Sequence, residues 1–269
     1  MKSITILLFL FVCNKLSAQE LFVFSEPASN MATKSIGLRL NNNLERISAT
    51  GKYNYYLNPE IMWGATKKLM LHAEGYFNNS TATFKATGGG AYAKYRFYSQ
   101  DEVHSHFRMA AYARATYNNS AVSQAGIDFD GYNSGYEAGI VSTKLINKVA
   151  LSAGGSFVHA TDNGSNKFYY GNNNRNAIAY NFSLGKLLLP KEYVSYNQTN
   201  VNGMLELLGQ TNLATGKSFI DLAPSVQFII LSKMRVDAGY KFALVKDLQR
   251  TSTQGFLLRI EYNLFNAFK

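Results

Sequence analysis

The chain of 269 residues has one cysteine (Cys13), one tryptophan (Trp63) and four prolines. A lone cysteine excludes a disulfide framework, a thiolate metal site and a cysteine nucleophile supported by a second thiol. Four prolines against 21 glycines exclude collagen-like and proline-rich disordered chains. Charge is also scarce, since Asp, Glu, Lys and Arg make up 16% of residues, against ~25% in ordinary soluble chains. A mean hydropathy of -0.15 excludes a bundle of membrane helices, each of which needs about 20 consecutive apolar residues. Aromatic residues are abundant, with 18 tyrosines and 18 phenylalanines. Basic residues exceed acidic ones, 27 to 17, for a net charge of +10.

The first residues read as an export signal. Met1-Lys2-Ser3 gives a positive start, residues 4–12 (ITILLFLFV) are apolar, and Leu16-Ser17-Ala18 places small residues before Gln19. Residues 1–18 are therefore expected to be a signal peptide cleaved after Ala18. Cys13 follows Phe11 and Val12, where a lipidation site wants small residues, and it leaves with the signal. Because the chain is exported, its basic surplus is not a nucleic-acid signal. Lys and Arg in outer loops can instead meet the phosphates of outer-membrane lipids and lipopolysaccharide.

Beyond residue 34 the chain alternates with period two in segments of roughly ten residues, as half-buried strands do. Ile220, Leu222, Val226, Phe228 and Ile230 alternate with Asp221, Ser225 and Gln227. Val236, Ala238, Tyr240, Phe242 and Leu244 alternate with Arg235, Asp237, Gly239 and Lys241. Phe256, Leu258, Ile260, Tyr262 and Leu264 alternate with Arg259, Glu261 and Asn263. The same reading places strands at 34–42, 53–64, 67–77, 88–98, 106–117, 132–145, 148–160, 176–188, 201–210, 218–231, 234–244 and 255–265. That is about 12 strands, near the length that crosses a bilayer at a ~45° tilt.

The connections alternate too. Short links at 65–66, 147 and 232–233 interleave with long polar ones at 43–52, 78–87, 118–131, 161–175, 211–217 and 246–254. Outer-membrane barrels have this pattern of short periplasmic turns and long external loops, with an even strand number. The connection 190–200 falls on the periplasmic side and is longer than the rule predicts. A soluble β-sandwich also alternates, but its strands usually run about 5–6 residues, and these are longer and end in Tyr and Phe. The expected fold is all-β: a single closed antiparallel transmembrane β-barrel over residues 34–269, in the cell outer membrane. Residues 19–33 lack the alternation and form either a periplasmic extension or a small plug.

The LSAQ end of the signal, the strand ladder and the C-terminal FLLRIEYNLFNAF together resemble small outer-membrane β-barrel proteins of the Bacteroidota type. Strand number and the proline-bearing strands are similar to phenol-degradation-pathway-like transporter barrels. The resemblance implies that the last strand, Phe256 to Phe268, is read by the barrel-assembly machinery. Lys269 follows Phe268, where many such proteins end on the aromatic itself.

If the apolar faces meet lipid, the opposite faces line the lumen. The expected pore-lining or constriction residues are Lys94, Arg96, Arg108, Arg114, Glu60, Glu74, Arg235, Asp237, Arg259 and Glu261. Lys94, Arg96 and Arg108 fall on adjoining strands near the periplasmic end, which predicts an anion-favouring constriction. The residues leave two readings open: a narrow pore with charged walls, or a salt-bridged filling that replaces a hydrophobic core. About eight strands close on their own side chains and 16–18 leave a channel, and 12 lies between. The expected function is a porin-like channel or transporter for small polar solutes. The alternative is a structural or adhesive barrel with a filled lumen acting through its external loops.

A third reading, an outer-membrane lipid-modifying enzyme, would need a histidine with an orienting group and a nucleophile. His104-Ser105-His106 and His159 with Asp162 are the candidates, and neither comes with a complete set. No catalytic residue, metal or cofactor is therefore expected. Gly88-Gly89-Gly90 lacks the Lys and helix of a phosphate loop and reads as a strand device.

Overall fold

The structure is a computed structural model that describes residues 22–80, 83–102, 105–169, 171–192 and 197–268. The expected signal peptide, residues 1–18, and His104 lie outside the described residues. Twelve strands follow in order: β1 (Ile36–Ile47), β2 (Tyr53–Trp63), β3 (Leu69–Asn78), β4 (Lys85–Asp101), β5 (Ser105–Asn118), β6 (Gly135–Ile146), β7 (Val149–Ala160), β8 (Asn176–Leu189), β9 (Asn200–Asn212), β10 (Ser218–Ile230), β11 (Met234–Lys246) and β12 (Ser252–Leu264). Each pairs antiparallel with its sequence neighbours, and β1 pairs with β12 to close the barrel.

The alternation of each strand decides which face turns outward. On β12, Phe256, Leu258, Ile260, Tyr262 and Leu264 are exposed on the outer surface, while Leu257 and Glu261 are buried inside. On β10, Asp221, Ala223 and Gln227 are buried and Phe228 faces out. An exposed belt of Leu, Ile and Phe running round a closed sheet is the lipid-facing surface of a membrane barrel. Aromatic pairs mark its two ends. Trp63 packs on Phe268 at 5.9 Å between ring centroids at the short-turn end, and Tyr55 stacks on Phe84 at 5.8 Å at the long-loop end. The fold is that of an outer-membrane β-barrel.

Several boundaries differ from the periodic reading: β1 runs on to Ile47, β4 begins at Lys85 and β12 begins at Ser252. β4 continues past residue 98 to Asp101 through a bulge between Arg96 and Tyr98. That bulge turns Phe97 and Tyr98 both outward. β6 begins at Gly135, three residues after the expected start, because Tyr132 belongs to a connection that leaves the wall. The glycine run in β4 is a close-approach device. A Cβ on Gly88 would lie 1.9 Å from the Tyr117 carbonyl oxygen, and one on Gly90 would lie 2.4 Å from the Tyr76 hydroxyl.

Leu258, at the middle of β12 and outward-facing, tests the lipid belt. Leu258→Arg should cost about 2–4 kcal/mol of folding stability in vesicles, the cost of a basic side chain near the bilayer midplane. Urea titration of refolded protein would measure this, and an unchanged midpoint would mean that Leu258 does not face lipid.

Candidate functional site in the lumen

The lumen is lined largely by polar side chains, with apolar patches at Met62, Met70, Val141, Met204 and Leu257, and its charges are set against each other by register. Arg39 on β1 stands opposite Glu60 on β2 and Glu261 on β12. Its Nη1 lies 3.1 Å from Glu60 Oε2, and its Nε donates to Glu261 Oε2 at 2.8 Å. Glu261 in turn pairs with Arg235 Nη2 at 2.9 Å. Arg235 Nε reaches Asp237 at 3.1 Å, and Arg259 Nη1 approaches Asp237 at 3.8 Å. These contacts form one ladder of alternating sign across β2, β1, β12 and β11. Directly opposed unlike charges are the favourable cross-strand arrangement, and burial makes their pairing obligatory.

Two segments that are not strands enter this lumen. Residues 22–35 cross its short-turn half before joining β1. Phe22 and Val23 are buried with Ala150, Met204 and Leu257. Glu26 sits 2.9 Å from Arg39 Nη1 and 3.4 Å from Lys94 Nζ. Burial alone would push the Glu26 carboxyl up, but Arg39 and then Lys94 outweigh it and hold it well below the usual carboxylate range.

From the long-loop end, the connection 119–134 folds inward. Gln210 on β9 pins it twice, accepting from Ile127 N and donating to Ile127 O, each at 2.8 Å. Arg114 Nη1 donates to Asp130 at 2.7 Å, Asn58 Nδ2 donates to the Asp130 carbonyl at 2.9 Å, and Tyr132 donates its hydroxyl to Glu45. Ile127 and Phe129 are buried against Val158, Ala160, Phe168 and Ala177. The apolar side chains of this connection thus hold it down onto the wall.

Between the two segments lies a cavity of about 250 Å³, bounded by Phe24, Glu26, Asp128, Tyr132, Arg114 and Lys241. A smaller one of about 110 Å³ adjoins it over β1 to β3 and shares these walls. Glu137 borders the larger cavity and accepts from Tyr112 Oη at 3.1 Å and Ser156 Oγ at 2.6 Å. Burial, and then the neighbouring Asp130 charge, push the Asp128 carboxyl up to about 6.

The sequence-predicted residues are distributed through this architecture as follows. Glu60, Arg235, Asp237, Arg259 and Glu261 form the ladder. Arg114 borders the cavity and lies 3.9 Å from Glu74, which also accepts from Tyr76 Oη at 2.8 Å. Lys94 and Arg108 are turned differently from the expected anion-favouring constriction. Lys94 has no exposed surface and donates to the carbonyls of Pro27 and Ser29 at 2.7 and 2.9 Å. Arg108 Nη1 donates to Ser29 Oγ at 2.9 Å, and its Nε donates to Asp101 at 3.0 Å. Arg96 lies at the rim, donating to the Lys67 carbonyl at 2.8 Å. The physical reason is that residues 27–29 lie against this wall, presenting two carbonyls to Lys94 and the Ser29 hydroxyl to Arg108.

Ligand atoms of Glu60, His72 and Glu74 lie within 4.8 Å of one another. Arg39 and Arg114 already supply positive charge to the two carboxylates, and His72 Nδ1 contacts Glu60, so the group reads as part of the ion-pair network. His159 Nδ1 contacts Asn176 Oδ1 at 2.6 Å, and Asp162 holds Arg175 at 2.6 Å. Each of these two side chains is thereby committed to a partner other than the one a catalytic pair would require. Sequence reasoning missed Gln210, Tyr132 and Asp128 as lumen residues, and the signal available was a long polar connection that nonetheless carries Ile127 and Phe129.

Asp128 gives a pH test. Its raised pKa means that its charge opposes folding. The penalty is absent below the ordinary value of 3.8, grows as pH rises toward about 6, and is complete above that. Asp128→Asn should therefore raise the thermal unfolding temperature at pH 8, and the gap to wild type should close below about pH 4. A gap that is equal at both pH values would refute the assignment.

No protein-family model matches the sequence, and none of the curated proteins does. Solved structures do match in shape. The COG4313 outer membrane channel from Pseudomonas putida F1 is similar over 90% of this chain and 100% of its own, at 10% identity and a TM-score of 0.60. The NanC porin matches over 85% of this chain and 100% of its own, at 9% identity and a TM-score of 0.49. The KdgM porin matches over 84% and 98%, at 8% identity and a TM-score of 0.48. The first of these establishes the shared fold of a closed outer-membrane barrel.

Proposed function

We propose that the protein is an outer-membrane porin-like channel for small polar solutes. The observation that carries this reading is the cavity between residues 22–35 and 119–134, bordered by carboxylates, Arg114, Lys241 and hydroxyls. A barrel serving only as scaffold could fill that space with side chains, and a polar cavity at the middle of the lumen suits hydrated solute. Support also comes from the shared fold with a protein described as an outer membrane channel. The charged groups sort into two roles. The ladder Glu60, Arg39, Glu261, Arg235, Asp237 and Arg259 stiffens the wall, while Arg114, Lys241, Glu45, Asp128, Asp130 and Glu137 meet the solute.

Within this reading the chain is of the Bacteroidota barrel type, targeted by residues 1–18 and handed to the assembly machinery through Phe256 to Phe268. Basic loop residues contact lipopolysaccharide phosphates. The filled-lumen alternative draws on one feature, the two segments that occupy both halves of the barrel.

Conductance of the refolded mature protein, residues 19–269, in a planar bilayer decides between them. Discrete small steps are expected, and Lys241→Glu should shift the reversal potential in a salt gradient toward cations. A folded, heat-modifiable barrel that stays silent at every voltage would overturn the channel reading.

A further inference from the structure

Residues 22–29 are held as a bound peptide is held. Glu206 on β9 is fully buried and accepts from three consecutive backbone amides: Val23 N and Phe24 N on Oε1, and Ser25 N on Oε2, each at 2.9 Å. The same Oε2 accepts from Ser25 Oγ at 2.7 Å and from Ser183 Oγ at 3.1 Å. Thr143 Oγ1 on β6 accepts from Ala28 N at 2.9 Å. From the facing side Lys94 caps the carbonyls of Pro27 and Ser29, and Arg108 takes the Ser29 hydroxyl. These contacts come from side chains of five wall strands, β4, β5, β6, β8 and β9. An anion on the amides and a cation on the carbonyls recognise a main chain in one direction and register.

The wall is also shaped for the side chains. A Cβ on Gly239 would lie 2.6 Å from Phe24 Cε2, and one on Gly185 would lie 3.3 Å from Phe22 Cε1. Glycine at these two points leaves room for two aromatic rings two residues apart. Glu26 fits the charge of the seat through Arg39 and Lys94. Charged and hydroxyl groups hold the main chain, so water can replace its hydrogen bonds if it leaves, while Phe22, Val23 and Ala28 rest on Ala150, Met204, Leu257, Ala110 and Val141.

We propose that the short-turn half of the lumen is a binding seat for a bent peptide segment of the pattern aromatic-x-aromatic-Ser-Glu-Pro. Residues 22–29 fill it in cis, and their withdrawal opens the pore. This rests on the channel reading, since the segment forms one wall of the cavity through Phe24, Ser25 and Glu26.

Ser25 Oγ and Ser183 Oγ lie 2.8 Å apart, and the expected mature chain has no other thiol, so Ser25→Cys with Ser183→Cys can lock the segment to the wall. Oxidised channels should show only the small conductance, and dithiothreitol should raise it several-fold in the same bilayer. Glu206→Gln should lengthen the large-conductance dwell without the lock. A variant lacking residues 22–33 should stay in the large state, and a synthetic peptide copying residues 22–31, added from the short-turn side, should close it. A peptide with Phe22 and Phe24 replaced by Ala should not. If the deletion variant fails to fold, the cysteine pair alone carries the test. Conducting channels that are identical oxidised and reduced would overturn the gate while leaving the channel reading intact. Silence of every variant would overturn both. Closure by the alanine peptide as readily as by the native one would overturn the seat.

Discussion

The pairing of β1 with β12 is the constraint on which the rest of the structure depends. Hydrocarbon offers no partner to a backbone N–H or C=O, so a sheet can cross a membrane only if it has no edge. Register between β1 and β12 runs from Ile36 opposite Leu264 up to Glu45 opposite Gly255, and it closes the ring. Closure fixes the meaning of the two-residue repeat. The Phe256, Leu258, Ile260 set must face lipid, and the Leu257, Arg259, Glu261 set must face inward. The same register sets Arg39 opposite Glu261 and sets Arg235 opposite Glu261 from the other side. Barrel closure and charge neutralisation are therefore one event on these strands, and a one-residue slip would undo both.

A closed polar tube then has to be filled or left wet. This one is filled from both ends by chain that is not strand. Its wall side chains are committed to that filling: Glu206, Thr143, Lys94 and Arg108 to residues 22–29, and Gln210, Asn58 and Arg114 to the inward connection. Buried charges of this kind are costly unless every lone pair and proton finds a partner. Glu206 meets that demand with amides and hydroxyls in place of a cation. What the two fillings leave between them is small, polar and central, which is where selectivity would be exercised.

The strands, their order and the alternation of short and long connections were legible in the sequence because each follows from a local rule: two-residue periodicity for the strands, turn residues for the links. The inward face was legible for the same reason, which is why Glu60, Arg235, Asp237, Arg259 and Glu261 fall on one ladder. The filling was not legible. Residues 22–35 and 119–134 have no period, and their positions depend on partners far away in sequence, such as Val23 on Glu206 or Ile127 on Gln210. That blind spot produced the anion-favouring reading of Lys94 and Arg108. Both side chains are buried on the inner face of their strands, and no local pattern reveals that Pro27 and Ser29 take up Lys94. The clues present were unassigned: Phe22, Val23 and Phe24 outside any periodic stretch, and glycines at 185 and 239 on inward faces.

The account stands or falls on residues 22–29 sitting in the lumen in the membrane. Amide hydrogen exchange of the mature protein in lipid measures this most directly. The account predicts that the Val23, Phe24 and Ser25 amides exchange far more slowly than in a free peptide of the same sequence, and that Glu206→Ala restores fast exchange at these three while leaving β9 and β10 protected. Free-peptide rates at Val23, Phe24 and Ser25 in the unaltered protein would contradict it.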